Sequence, residues 1–190
     1  MHTHSFVIIV LVLLALSLST LACQLDVGGP EPPGPPIPTQ SSAVEDLTRT
    51  WQQALSSTVS QGQIMVLLTE TQLTSFLSSR LDTDEQSLLQ NPQVYLRDDT
   101  IQVYGTTERG PLRASILMVI SPEITPEGEI RFDLTDAELG PIPAPDALRN
   151  TISALLTEAF TGTFGSLATG LRVTSIAVGN GEMAVVGELR

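Results

Sequence analysis

NPQVYLRDDTIQVYG, residues 91–105, is the stretch on which the fold turns. Val94 and Leu96 alternate with Gln93, Tyr95 and Arg97; Ile101 and Val103 alternate with Gln102 and Tyr104. A period of two is the mark of a strand with one buried face. Asp98-Asp99 sits midway, and a two-residue turn there pairs Leu96 with Ile101 and Val94 with Val103. All four then lie on one face, so pattern and register agree. The adjacent aspartates read as a turn, not as an acid/base pair.

The alternation continues downstream. Leu112, Ala114, Ile116, Met118 and Ile120 share a face, and Leu117 and Val119 make the other face apolar at its far end. After Ser121-Pro122 and Thr125-Pro126-Glu127-Gly128, Ile130, Phe132 and Leu134 alternate with Glu129, Arg131, Asp133 and Thr135 in a half-buried strand running towards Leu139. Leu171–Val178 and Met183–Leu189 flank Asn180-Gly181, a strong hairpin signal pairing Val178 with Met183 and Ile176 with Val185. Leu171 and Val173 fall on the opposite parity, which predicts a bulge near Thr174 or Ser175.

Helical spacing appears in three places. Ser42–Glu45 has capping-box spacing, and Val44, Leu47, Trp51 and Leu55 mark one face of a helix over about 43–58. Gln63–Leu68 is a short apolar strand. Thr69–Gln72 is a second capping box, opening a helix whose face is Leu73, Phe76, Leu77 and Leu81. PDALRNTISALLTEAF, residues 145–160, predicts the longest helix. Leu148, Ile152, Leu155, Leu156, Ala159 and Phe160 form one wide apolar arc behind Pro145, which suits a first turn. Gly140–Pro145 reads as a rigid connection into it. Strands in consecutive hairpins with helices to one side give an α+β class with an antiparallel sheet.

Residues 1–22 read as a signal segment, not as fold. Phe6–Leu16 is unbroken apolar sequence, and small residues lead to Cys23, the chain's single cysteine. Leu21-Ala22-Cys23 resembles a bacterial lipobox, in which the cysteine thiol is acylated, with palmitate for example, and becomes the new N-terminus. It departs from that pattern in having Thr20 three places before the cysteine and no Lys or Arg in MHTHS. The other reading is an uncleaved membrane anchor. Both place the remainder outside the cytoplasmic membrane, in a bacterial cell envelope. Residues 23–40 are dense in proline and read as an extended spacer. Residues 41–190 then make one domain of ordinary size.

Missing residue types narrow the chemistry. The chain has no lysine, and its two histidines, His2 and His4, lie in the signal segment. A Ser-His-Asp triad, a Cys-His pair, a Schiff-base lysine, a P-loop lysine and Cys/His zinc sites are therefore unavailable to the mature chain. Gly162, Gly165 and Gly170 lack dinucleotide-binding spacing and read as loop glycines. A formal charge of −12 argues against nucleic acid and against electrostatic docking on anionic lipid. Asp82–Glu85 hints at a calcium loop, but Ser87 and Gln93 stand where glycine and glutamate are needed. No metal and no cofactor are expected. Asp133, Asp136 and Glu138 are the carboxylates that a hydrolase would use; Asp133 falls on a polar strand face.

Thr69–Leu81 (TETQLTSFLSSRL), Asn91–Gly105, and Glu138–Gly162 (ELGPIPAPDALRNTISALLTEAFTG) together resemble the LmeA-type phospholipid-binding proteins of bacterial envelopes, relatives of the tubular lipid-binding superfamily. The resemblance covers roughly Gln63 to Arg190. It implies a curved antiparallel sheet, here of about six to seven strands, wrapped around the long helix, with one or two further helices. It implies lipid tails between sheet and helix, and no catalytic residues. Leu148, Ile152, Leu155 and Ala159 would face Ile116, Met118, Phe132, Leu134 and Val185 across such a groove. The expected function is thus binding of a phospholipid or other apolar molecule by a protein held to the membrane through Cys23. The alternatives are an envelope interaction module with a filled core and, more distantly, a carboxylate hydrolase.

Overall fold

The computed structural model describes residues 25–57, 63–81, 89–151, 153–154 and 171–189. Among them are nine strands in two sheets. In chain order the elements are β1 (Leu25–Asp26), α1 (Ala43–Ser57), β2 (Gln63–Thr69), α2 (Glu70–Leu81), β3 (Gln90–Arg97), β4 (Thr100–Arg109), β5 (Leu112–Ile124), β6 (Ile130–Leu139), β7 (Ile142–Pro143), β8 (Leu171–Gly179) and β9 (Glu182–Leu189). A third helix, α3, begins at residue 146 and is described to 151 and at 153–154.

The larger sheet runs β3-β4-β5-β6-β7, and the smaller runs β2-β9-β8. Both predicted hairpins form in the predicted register. Leu96 pairs with Ile101 and Val94 with Val103; Val178 pairs with Met183 and Ile176 with Val185. Asp98, Asp99, Asn180 and Gly181 all have positive φ, as a type I′ turn requires. The predicted bulge lies between Val173 and Ser175.

The fold is mainly β, with two sheets where one was expected, and the long helix expected over 145–160 is described only at 146–151 and 153–154. The 140–145 connection illustrates the difference. Gly140, at φ 59, turns the chain so that Leu139 pairs with Ile142, and β7 extends the sheet before α3 starts. A glycine followed by proline suits a two-residue hairpin with positive φ at its first position. The first helical hydrogen bond of α3 runs from the Arg149 N–H to the Pro145 carbonyl (3.0 Å). Leu156 and Phe160 of its expected arc lie outside the described residues.

The proline-rich segment lies against the larger sheet. β1 pairs in parallel with the start of β5, Leu25 with Leu112 and Asp26 with Arg113. It occupies the edge of β5 that β6 leaves free at Gly140, and the Ser115 N–H donates to the Gly28 carbonyl (3.1 Å). The chain then crosses the sheet's outer face. There the Tyr95 hydroxyl donates to the Gly34 and Pro35 carbonyls (3.2 and 3.0 Å), and the Gln40 N–H donates to the Ser75 hydroxyl (3.0 Å). Tyr95 meets Tyr104 edge-on, with ring centroids 5.6 Å apart. Proline-rich chain over aromatic rings is a low-entropy packing that peptide-binding domains also use.

α2 closes the free edge of β3. The Val94 N–H donates to Thr74 Oγ1 (2.9 Å) and the Leu96 N–H to Glu70 Oε1 (2.9 Å). Alternate strand donors lie nearly as far apart as residues one helical turn apart, so two side chains of α2 satisfy an edge otherwise open to pairing with another chain. The capping box at the start of α2 forms as predicted: the Thr69 N–H donates to Gln72 Oε1 (3.0 Å), and the Gln72 N–H to Thr69 Oγ1 (3.3 Å). At α1 the partner is Asp46 rather than Glu45, its N–H donating to the Ser42 carbonyl (2.8 Å) and its carboxylate accepting from the Ser42 hydroxyl (3.0 Å).

One core joins the sheets. It contains Val94, Leu96, Ile101, Val103, Ile116, Met118 and Ile120 of the larger sheet, Ile64, Val66, Leu68, Met183 and Val185 of the smaller, and Trp51, Leu73, Phe76 and Leu77 of the helices.

Candidate functional site

Strand parity builds the candidate site. Pairing across the larger sheet brings Ile101, Ile120 and Leu134 into one row, and Val103, Met118 and Ala137 into the next. Ile116 and Leu139 follow on the same face. A bulge between Val119 and Ile120 on the ladder leaves Thr135 as the extra residue of β6, its hydroxyl bonded to the Val119 carbonyl (3.0 Å). That bulge keeps Leu134 and Leu139 on one face although their numbers differ in parity.

Of the nine residues expected to line a groove, Ile116, Met118, Phe132 and Val185 are buried members of the single core cluster. Leu134 and Leu148 are half-buried and pack against it. Ile152, Leu155 and Ala159 lie outside the described residues. The structure thus brings six of the nine together on or against one apolar surface.

This inner face is closed at its centre and open at one end. Along β5, Ile120, Met118 and Ile116 are buried, Ala114 is half-buried, and Leu112 is 46 % exposed. Leu112 shares its side with Leu25, its parallel partner, and Leu139 with Ile142. Leu25 is 61 % exposed, Val27 45 % and Ile142 56 %. Side chains of this size exposed together as the continuation of a core face mark a contact surface. Sequence reading placed Leu112 on the inner face but took none of the four as part of a site. Leu112 and Ile142 carried the signal, because both are aliphatic residues placed beside tight Gly-Pro turns.

At the other end of β5 lies a shallow groove of about 300 Å³, lined by Ile124, Thr125, Pro126, Gly128, Arg172, Val173, Thr174 and Glu188. Its volume is at the low end of ligand pockets, and an arginine and a glutamate share its wall with few aliphatic groups. It is a poorer place for an apolar molecule than the inner face.

The charged residues of β5 and β6 lie on the outer face. The pairs Glu108 with Arg113, Glu123 with Arg131, and Ser121 with Asp133 all have that parity. Asp133 Oδ2 accepts from the Arg131 guanidinium (2.9 and 3.1 Å), and Asp136 Oδ1 accepts from the Ala137 N–H (2.8 Å). Of the three carboxylates considered for hydrolysis, Asp133 and Asp136 are therefore held in local surface contacts, and Glu138, paired with Leu117, has the same outer parity, so none faces the inner surface. The Arg131 guanidinium pKa is raised, chiefly by its hydrogen bond to Asp133 and next by that to Glu123. Among the described residues no cluster of His, Cys, Asp and Glu is arranged to hold a metal, and no helix is long and apolar enough to cross a membrane. The acidic run 82–85 lies outside them.

The buried inner face offers aliphatic carbon, one aromatic ring and thioether sulfur. Such a surface holds apolar matter by removing it from water, at about 25 cal/mol for each Å² buried. No curated protein matches the chain. The model of the LmeA-like phospholipid-binding family matches residues 27–188, nearly the whole length, and so includes the proline-rich segment and α1 as well as the sheets.

Proposed function

We propose, because the chain belongs to the LmeA-like phospholipid-binding family, that it is a membrane-held, extracytoplasmic binding protein that takes the acyl part of a phospholipid or similar molecule onto the inner face of its larger sheet and performs no covalent chemistry. One observation carries the reading: an uncharged, aliphatic inner face runs from the buried Ile120 to the exposed Leu112 and Ile142. Non-catalytic binding accords with the absence of lysine and with histidines confined to residues 2 and 4. Acylation at Cys23, or retention of the apolar segment before it, supplies the membrane attachment.

A second reading has support of its own. Ile116, Met118 and Val185 are each 1 % exposed, so this part of the face is covered by protein. An envelope interaction module with a filled core would look the same there. Extraction separates the two. The chain from Gln24 onward, which keeps β1 and the proline-rich segment, is purified and its organic extract analysed by mass spectrometry. The binding reading expects co-purified phospholipid and displacement of a fluorescent fatty acid. Neither lipid nor displacement would leave the filled-core module standing.

A further inference from the structure

We infer that the open end of the inner face is a membrane seat, with Leu25, Val27, Leu112 and Ile142 pressed among the acyl chains of the bilayer that holds the protein. The inference rests on the membrane-held reading above and adds to it an orientation and a route for lipid.

The argument starts from β1. Leu25 and Asp26 are already paired into the larger sheet, and the Val27 N–H donates to the Arg113 carbonyl (2.8 Å). Cys23 is only two residues before Leu25, and two residues span at most about 7 Å of chain. An acylated Cys23 therefore leaves no slack between lipid and sheet. An uncleaved apolar segment ending at Ala22 leaves hardly more. Both N-terminal readings put the same end of the sheet on the bilayer. The proline-rich segment follows β1 and runs back over the outer face to α2, so it does not separate anchor from domain. It straps the sheet instead of spacing it.

What lies at that end fits hydrocarbon. The four exposed side chains are aliphatic, and register places Leu25 beside Leu112 and Ile142 beside Leu139 on the inner-face side. Burying four such side chains in hydrocarbon favours one orientation of an already tethered domain. The Asp26 carboxylate, on the opposite parity, accepts from the Gly28 N–H (2.8 Å) and is not set among them. With the chain seated this way, a lipid tail passes from the bilayer onto the half-buried Ala114 and Leu139 without crossing water.

The full chain, reconstituted into vesicles of phosphatidylcholine and phosphatidylglycerol with brominated acyl chains, tests this. Ile142→Trp places a reporter at the seat, and Met65→Trp places one on the exposed face of the smaller sheet. Trp51, wholly buried, gives the same background in both. The expected result is that bromine quenches the added emission of Ile142→Trp several-fold and leaves that of Met65→Trp unchanged. Equal quenching at the two positions, or quenching at Met65 alone, overturns the seat. A blue-shifted Ile142→Trp that bromine does not quench also overturns it, since the end is then covered by a second copy or another protein. Flotation separates the two levels of the argument. A chain that does not float with vesicles defeats the membrane-held reading and the seat with it; a chain that floats with residue 142 unquenched defeats the seat alone.

Discussion

Glu70 joins three elements. Its carboxylate accepts from the Leu96 N–H (2.9 Å) and pairs with the Arg97 guanidinium, while its own N–H donates to the Gly181 carbonyl (3.2 Å). It thus ties α2 to the edge of the larger sheet and to the β8–β9 turn. Thr74, fully buried one turn later, does the same for Val94. Removing an acceptor from a buried donor costs about 1–3 kcal/mol. Glu70→Ala and Thr74→Val should each lower unfolding stability by about that much in urea, whereas Glu129→Ala, at an exposed position before β6, should change it little. The two tyrosines make a second prediction. Burial raises the phenol pKa of both, with Glu70 adding to it at Tyr95 and Glu138 at Tyr104. A folded-state pKa above the unfolded value of about 10 means that the protonated phenols contribute stability in full below that value. That contribution is lost as pH rises through the folded values. Since the chain has two tyrosines, ultraviolet titration of phenolate reports them alone. It should show a midpoint above the free-tyrosine value, accompanied by loss of the strap. A midpoint at the free value would mean that the strap does not cover them.

At the scale of elements, legibility followed the range of the interaction. Asp98-Asp99 and Asn180-Gly181 could be read because turn chemistry and parity lie within a few residues of each other. The bulge at Thr174 was legible as a parity break. The bulge at Thr135 left the same trace, since Leu139 is out of step with Leu134, but the run from Ile130 looked unbroken. The strap was not legible, because its partners are distant in sequence: Ile37 meets Gln93 and Pro35 meets Tyr95. Its only local sign was a tyrosine on each polar strand face. Nor was the closing of β3 by α2, which needs two side chains to meet a strand edge. Gly29 tests the strap as an element. It has φ 133, and a Cβ there would lie 2.7 Å from the Gly140 Cα. Gly29→Ala should push the strap off the β6–β7 turn and speed amide exchange at Leu25, Val27 and Ser115, whose N–H groups bond across this junction. Unchanged exchange there would show that the contact is dispensable.

For the whole molecule the issue is what fills the space beside the inner face. The face itself was legible from alternation, and six of its nine expected residues meet on one core surface. Its open end was not, because exposure of Leu25, Val27, Leu112 and Ile142 depends on where strands stop. Leu134 and Met118 separate binding from folding. Leu134 is half-buried and Met118 buried. An amide placed against a lipid tail without a partner costs about 1–3 kcal/mol, so Leu134→Gln should weaken fatty-acid binding roughly tenfold with a small change in melting temperature. Met118→Gln should instead destabilise the fold by about 3 kcal/mol. The most direct measurement uses a phospholipid carrying a photoreactive diazirine in its acyl tail, crosslinked to the protein and mapped by peptide mass spectrometry. Adducts on β5 and β6, at the half-buried Ala114, Leu134 or Leu139, are the predicted result. Adducts confined to the outer faces, at Met65 or Leu67 for instance, or none at all, would contradict a lipid site on the inner face.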